Sequence, residues 1–262
     1  MQARSALFDL YGDHLRERGG VAPVSALVRL LSQLDVAAPA VRTAISRMVR
    51  QGWLLPVTTE RGPGYELTVR ATRRLDEAAE RIYRTRVAPP WDNRWALAVL
   101  PHTAERSRRE RIQRAMEYLG YRQLQQDVWI APRPTPELEP TLAAEDVEPQ
   151  LFEAAHVGDD AQLLSLWHPD QLAAAYTSWL TEAQDVVSNA GDRPDDETAF
   201  AARSKLVHEW RKFLFTDPGL PRELLPAKWP GDDAAHYFDE HANRLAPGAA
   251  RFVDLCLTRR EP

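Results

Sequence analysis

The stretch VRTAISRMVRQGWL, Val41 to Leu54, admits few folded states. Val41, Ile45, Met48 and Val49 recur at i, i+4, i+7 and i+8, the spacing of an apolar stripe along one side of an α-helix. Gly52 stands where a glycine commonly ends a helix. Opposite the stripe fall Arg42, Thr43, Ser46, Arg47 and Arg50, and no acid occurs between Ala38 and Thr59. A solvated helix face usually interleaves glutamates with its arginines, so that residues four apart neutralise one another. Here nothing in the stretch does so. The pattern asks for a protein core on one side and an anionic partner on the other.

Its neighbours extend the reading. ARSALFDLYGDHLRERGG carries Leu7, Leu10, Tyr11 and Leu15 at helical spacing and stops at Gly19-Gly20. PVSALVRLLSQLD opens with a proline suited to the first helical turn and carries Leu27, Leu30, Leu31 and Leu34 on one face. After a break at Val36–Pro39 comes the arginine helix. WLLPVTTERGPGYELT then alternates about a central ERGPG, the pattern of two short strands joined by a Gly/Pro turn. Three short helices and a hairpin are the order of a winged helix-turn-helix, expected over residues 1–69.

A charged amphipathic helix from Arg70 to about Arg86, ended by APPWDN, reads as a connection over 70–90. Beyond it the order is strand (RWALAVLP), helix (AERSRRERIQRAMEYLG), strand (YRQLQ), strand (VWIAP), helix (around Glu137–Ala144) and strand (QLFEAAHV). A βαββαβ order over 91–158 is that of a ferredoxin-like domain. From Ala161 the pattern is helical, so residues 159–262 read as a helical C-terminal domain. The expected class is α+β.

Charge divides along the chain. Met1 to Arg133 holds 22 arginines and no lysine against 14 Asp/Glu, a balance of +8; the remaining 11 Lys/Arg face 24 Asp/Glu, a balance of −13. A basic first half on an acidic second half suits an anion-binding module joined to a regulatory or assembly module. No stretch approaches the roughly 20 apolar residues of a membrane span, and MQARSALFDLYGD lacks the apolar core of a signal peptide. Cys256 is the single cysteine, which excludes an internal disulfide and suits the reducing cytoplasm.

In a winged helix-turn-helix the last helix enters the major groove of DNA, which is about 12 Å wide and admits one α-helix. Arginine bonds guanine with two donors, and Ser and Thr reach base edges or phosphates. Arg42, Thr43, Ser46, Arg47 and Arg50 are therefore the expected DNA contacts. Arg61 in the wing would approach the backbone or minor groove, with Gly62 and Gly64 letting that wing turn tightly and come close.

Several segments together, LFDLYGDHLRERGG, VRTAISRMVRQGWL, YELTVRATRRLDEAAERIY, PPWDNRWALAVLP and above all RSKLVHEWRKFLFTDPGLPRELLPAKWPG, resemble the PaaX family of bacterial transcriptional repressors over nearly the whole chain. The resemblance implies a homodimeric repressor of aromatic-acid catabolism genes, with phenylacetyl-CoA or a related acyl-CoA as effector. It also implies the same three parts read above. A two-fold dimer would recognise an inverted repeat in its operator, with the two reading helices about 34 Å apart or a multiple of it.

Other chemistries have less support. The middle domain's element order is shared with a small CRISPR-associated ribonuclease family, which implies a metal-holding acid at the end of the first strand; here that strand ends AVLPHT, and Asp92 precedes it. HEWRK, from His208, places Lys212 where a zinc motif needs its second histidine. HYFDEH puts His236, Asp239 and Glu240 on one helix face but His241 elsewhere. Gly62 and Gly64 are not a phosphate loop. No catalytic residue, metal site or cofactor is assigned, and a metal-dependent nuclease or acyl-CoA hydrolase is the alternative reading. The acidic C-terminal region holds Trp167, Tyr176, Trp179, Trp210, Phe213, Phe215, Trp229, Tyr237 and Phe238, mostly expected in the core. His208, Arg211 and Lys212 beside Trp210 are the candidate anchors for an anionic CoA.

Overall fold

The computed structural model describes residues 1–84 and 90–258, with side chains described for all of these except 77–84, 214 and 215. It mixes helices with two antiparallel sheets, an α+β architecture. Contacts divide the chain into two compact units: Met1–Tyr83 with Tyr176–Lys212 and Gly231–Pro262, and Arg84–Ala175 with Phe213–Pro230. The segment 159–262 is thus shared between both units instead of standing alone.

In the first unit, helix α1 (Ala3–Asp9) runs on through a π-turn at Leu10–Leu15 and a 3₁₀ turn at Arg16–Arg18. Gly19 and Gly20, both at positive φ, end it, and the Gly20 amide returns to the Leu15 carbonyl at 2.8 Å. Strand β1 (Val21–Pro23) follows, then α2 (Val24–Ser32), α3 (Ala38–Arg50), β2 (Leu54–Thr59) and β3 (Gly62–Leu67). The sheet order is β1-β3-β2. Strand β1 has no counterpart in the sequence reading, because three residues are too few to show alternation. Pro23 closes that strand and flanks α2 with extended backbone, instead of sitting in the helix's first turn. Pro39 lies inside the first turn of α3 and α2 ends at Ser32, so the break between them runs over 33–37, earlier in the chain than expected.

Helix α4 (Val69–Arg84) takes Thr68 as its cap, whose hydroxyl accepts from the Ala71 amide at 3.1 Å. The expected connection at 70–90 therefore begins as part of the first unit: Leu75 packs on its core and Asp76 pairs with Arg16 at 3.0 Å. Residues 85–89, including the end of that connection and Pro89, lie outside the described residues.

One continuous core holds this unit. Leu7, Tyr11, Leu27, Leu31, Ile45 and Met48 share it with Phe200 of α9 (Asp196–Trp210) and with Phe252 and Val253 of α11 (Pro230–Thr258). Helices α9 and α11 touch where Gly248 meets Ala199: a Cβ on Gly248 would lie 2.8 Å from that of Ala199. The N-terminal helices and the C-terminal helices fold as one body because neither set alone covers the shared apolar surface.

The second unit carries β4 (Trp95–Val99), α5 (Arg106–Tyr118), β5 (Arg122–Gln125), β6 (Val128–Ala131), α6 (Leu138–Ala143) and β7 (Gln150–Ala154). All three pairings are antiparallel, in the order β5-β6-β4-β7. Ile112 and Met116 of α5 and Leu138 and Leu142 of α6 pack on Ala96, Ala98 and Trp129 of the sheet. Indole N–H groups find acceptors as burial requires: Trp91 donates to Pro132 O at 2.9 Å and Trp167 to Gly120 O at 2.9 Å. Helices α7 (Asp160–Leu164) and α10 (Phe213–Thr216) are short, and the boundary between units falls within α8 (Pro169–Ala190).

Candidate nucleic-acid interface

Helix α3 is held from one side only. Val41, Ala44, Ile45 and Met48 are at most 5% exposed, and Val49 is half-buried. Arg42, Thr43, Ser46, Arg47 and Arg50 are all exposed. Among the described residues Arg42, Arg47 and Arg50 form no ion pair, so three guanidinium groups face water with their donors unclaimed. The helix ends in a Schellman arrangement, with Gly52 at φ 69°, its amide on Val49 O at 3.0 Å and the Trp53 amide on Met48 O at 2.9 Å. Trp53 then anchors the exit: it meets Phe8 edge-to-face at 5.2 Å and carries the Arg70 guanidinium over its ring at 4.8 Å. The entry is fixed by the αL residue Asp35 (φ 59°) and by the Val36 amide on Leu31 O at 3.1 Å.

Thr43 is less free than its place on the exposed face suggests. Its hydroxyl donates to Pro39 O at 2.9 Å, which leaves only acceptor capacity outward. The hairpin also departs from the expected turn. Glu60 and Arg61 make the turn between Thr59 and Gly62, while Gly62-Pro63-Gly64 belongs to β3. Thr59 Oγ1 donates to Gly62 O at 2.9 Å and accepts from the Arg61 amide at 3.2 Å. Gly62, at φ 95°, supplies a backbone conformation that other residues rarely adopt.

Gly64 corrects an expected DNA contact. It is buried in the middle strand, and a Cβ there would lie 2.6 Å from Thr59 Cγ2 and 2.8 Å from Ala22 O. Its small size serves the approach of β1, not of a ligand. Arg61 sits at the hairpin tip half-buried, its Nη1 shielded from water without a hydrogen bond.

The candidate CoA anchors are likewise claimed from within. Trp210 is buried in an aromatic cluster, stacked on Phe238 at 4.7 Å and edge-on to Trp179 at 4.8 Å. His208 Nδ1 lies 2.6 Å from Asp9 Oδ2, Arg211 pairs with the other Asp9 oxygen, and Lys212 pairs with Glu209. Cations at the end of α9 do not make an anion site when Asp9 of α1 and Glu209 supply the carboxylates.

That carboxylate belongs to a network the sequence reading missed. On the buried side of the N-terminal helical run, Asp9 takes His208 and Arg211, while Asp13 takes Arg203 in a two-pronged pair at 2.9 and 2.7 Å. His14 Nε2 lies 3.2 Å from the buried Ser204 hydroxyl. Burial lowers the His14 pKa to about 4, against the pull of Asp13, so the ring is neutral at pH 7. Tyr11 donates to Tyr65 O at 3.0 Å, and burial raises its pKa. Helix α1, which packs on α3, is thereby fastened to both α9 and β3. One signal was present in the sequence: His14 follows Leu7 and Tyr11 on the buried stripe, where a polar group needs a partner.

Elsewhere, β4 runs out into Leu100, Pro101 and His102, with His102 Nδ1 3.6 Å from Asp127 Oδ2. Among the described residues no three His, Cys, Asp or Glu side chains come together to hold a metal ion, and no helix is long and apolar enough to cross a membrane.

Comparison with known proteins follows the same lines. The chain is 29% identical to the transcriptional repressor PaaX of Escherichia coli K12, across 95% of this chain and 82% of the relative. The uncharacterized protein Rv0674 from Mycobacterium tuberculosis shares its fold, with a TM-score of 0.63 at 22% identity over 97% of this chain and 98% of the other. Residues 2–71 match the family described as PaaX-like protein, 88–164 the PaaX protein central Cas2-like domain, and 167–255 the PaaX-like protein C-terminal domain. With all three matches in chain order, this protein belongs to the PaaX-like family.

Proposed function

We propose that the protein is a DNA-binding transcriptional repressor of aromatic-acid catabolism genes of the phenylacetate type. The observation that carries this is the outer face of α3: three arginines unpaired among the described residues, with Ser46 and Thr43 between them, on a helix whose other side is core. Helices α1 to α3 with the β2–β3 hairpin serve as a winged helix-turn-helix, with α3 in the major groove and the Arg61 turn near the backbone. The sheet order β5-β6-β4-β7 supports a ferredoxin-like reading of the middle domain, with no catalytic role for it. The likeness to a transcriptional repressor supports operator DNA as the partner. The protein acts in the cytoplasm as a homodimer on an inverted repeat, and an aryl-acyl-CoA such as phenylacetyl-CoA releases it.

Discrimination comes from Arg42, Ser46 and Arg47 at base edges, and salt-dependent affinity from phosphate contacts. Release requires that the effector bind the DNA-incompetent arrangement more tightly, by the factor it weakens operator binding. The test is a fluorescence-anisotropy titration of the purified protein against its own upstream DNA, with and without phenylacetyl-CoA. Tight, salt-sensitive binding relieved by the thioester is expected. Binding that ignores the thioester discards that effector, and no specific binding discards the repressor.

A further inference from the structure

The exposed face of α3 changes character along its length. From Arg42 to Arg50 it is cationic and rich in donors, but the residues that lead into it, Ala37, Ala38, Pro39 and Ala40, carry no polar side-chain atom. Ala37, Pro39 and Ala40 are exposed and Ala38 is half-buried, so this start of the helix is not spent on the core. Ala37 stands at the N-cap, where Ser, Thr, Asn or Asp would bond a free helix amide, and no side chain caps the helix there. The entering end of α3 thus shows solvent only methyl and methylene groups.

Thr43 belongs with these residues. Its hydroxyl donates to Pro39 O at 2.9 Å, a local bond that turns the oxygen back onto the helix. The group left unengaged is its γ-methyl. Residues three and four apart are neighbours on a helix surface, so Pro39, Ala40 and Thr43 make one apolar edge that runs on into Ser46 and Arg47.

In helix-turn-helix proteins the N-terminal residues of the reading helix contact the base edges. Each base pair presents hydrogen-bonding groups in the major groove, and of the four bases thymine alone adds an apolar group, its C5 methyl. Side chains without donors or acceptors would strip water from a guanine or adenine edge and return no hydrogen bond, which costs free energy. Against a thymine methyl the same side chains bury apolar surface on both partners. We propose that Ala40 and Thr43, with Pro39 beside them, read the C5 methyl groups of thymine in each operator half-site, while Arg42, Ser46 and Arg47 read the neighbouring bases. The assignment rests on the repressor reading of α3 and adds a base class to it: the half-site carries thymine where the start of the helix enters the groove.

Full-length protein is titrated by fluorescence anisotropy against its own upstream DNA and against the same duplex made with deoxyuridine for every thymidine. That exchange deletes the methyl groups and keeps every hydrogen-bonding group. Each lost methyl contact should weaken binding about fourfold, so two half-sites together lose roughly tenfold or more. A scrambled duplex, made with and without thymidine, should bind alike in both forms. Thr43→Ser keeps the hydroxyl and deletes the methyl, and should narrow the preference for the thymidine operator; with Ala40→Gly added, the preference should all but vanish. Thr43→Val keeps a methyl and deletes the hydroxyl, and should hold the wild-type preference. Melting temperatures confirm that each variant is folded. The inference is overturned if deoxyuridine costs the wild type nothing, if Thr43→Ser alone and with Ala40→Gly prefers thymidine as strongly as the wild type, or if Thr43→Val loses the preference. Specific binding that ignores the methyl groups leaves the repressor reading standing and removes this inference alone; no specific binding to either duplex removes both.

Discussion

Helices α3 and α9 carry similar cations to opposite ends. On α3, Arg42, Arg47 and Arg50 are exposed and, among the described residues, unpaired. On α9 and at its C-cap, Arg203, His208 and Arg211 each meet a carboxylate of the N-terminal helical run, Asp13 or Asp9. Paired and shielded charges fasten elements together and offer little to a ligand; unpaired and hydrated ones are available to phosphates and base edges. A count of arginines does not separate the two cases. The position of the nearest acid in space does.

The contrast is most exposed to test at Asp9. Asp9→Ala leaves His208 and Arg211 facing each other without their shared carboxylate, and should cost about 3–5 kcal/mol of unfolding free energy, as for other half-removed buried pairs. Urea unfolding checks it; a loss comparable to that of an exposed ion pair, below about 1 kcal/mol, would make α9 as solvated as α3.

The second test uses pH. His14 drops from an ordinary pKa of 6.5 to about 4 in the folded protein. Between those values the unfolded chain takes up a proton that the folded chain refuses. Stability is therefore full above pH 6.5 and falls as pH is lowered toward 4, by roughly 3 kcal/mol from this residue. Urea midpoints of wild type and His14→Gln from pH 7.5 to 4.5 isolate the contribution, and parallel pH profiles would mean that the folded ring takes up its proton as readily as the unfolded one.

On the outer face, Arg47→Ala should leave the melting temperature unchanged. It should cost about 1–3 kcal/mol of operator affinity and relax preference at one base pair. Equal weakening on every sequence would make Arg47 a phosphate contact. Gly64→Ala should do the reverse, destabilising the fold by about 1–3 kcal/mol through overpacking against Thr59 and Ala22, with operator affinity per folded molecule intact. The smallest effect belongs to Arg61→Ala, which should lower the salt slope by about one unit at most. An unchanged slope would remove the hairpin from the interface.

Much of this was legible in the chain. The stripe Val41, Ile45, Met48 placed α3 and its outward face correctly, because helical periodicity is a local property. The βαββαβ order appeared for the same reason. Strand β1 was invisible: it exists only by pairing with β3. The role of Gly64 was misread as access for DNA because the clash that demands glycine comes from Ala22, far away in sequence. That His208 and Arg211 meet a carboxylate was hidden because Asp9 lies some 200 residues earlier in the chain.

What the amino-acid order determined, then, was each element's kind, its apolar side and the polar face left over, since these follow from 3.6- and 2-residue periods and from the chemistry of Gly and Pro. The fold alone decided that the C-terminal helices share one core with α1, α2 and α3, that Arg203, His208 and Arg211 are spent on Asp13 and Asp9 of the N-terminal helical run, and that a cavity opens beside the turn into α3. Burial and charge pairing depend on which distant residues the chain brings within a few ångströms, and no local pattern encodes that distance.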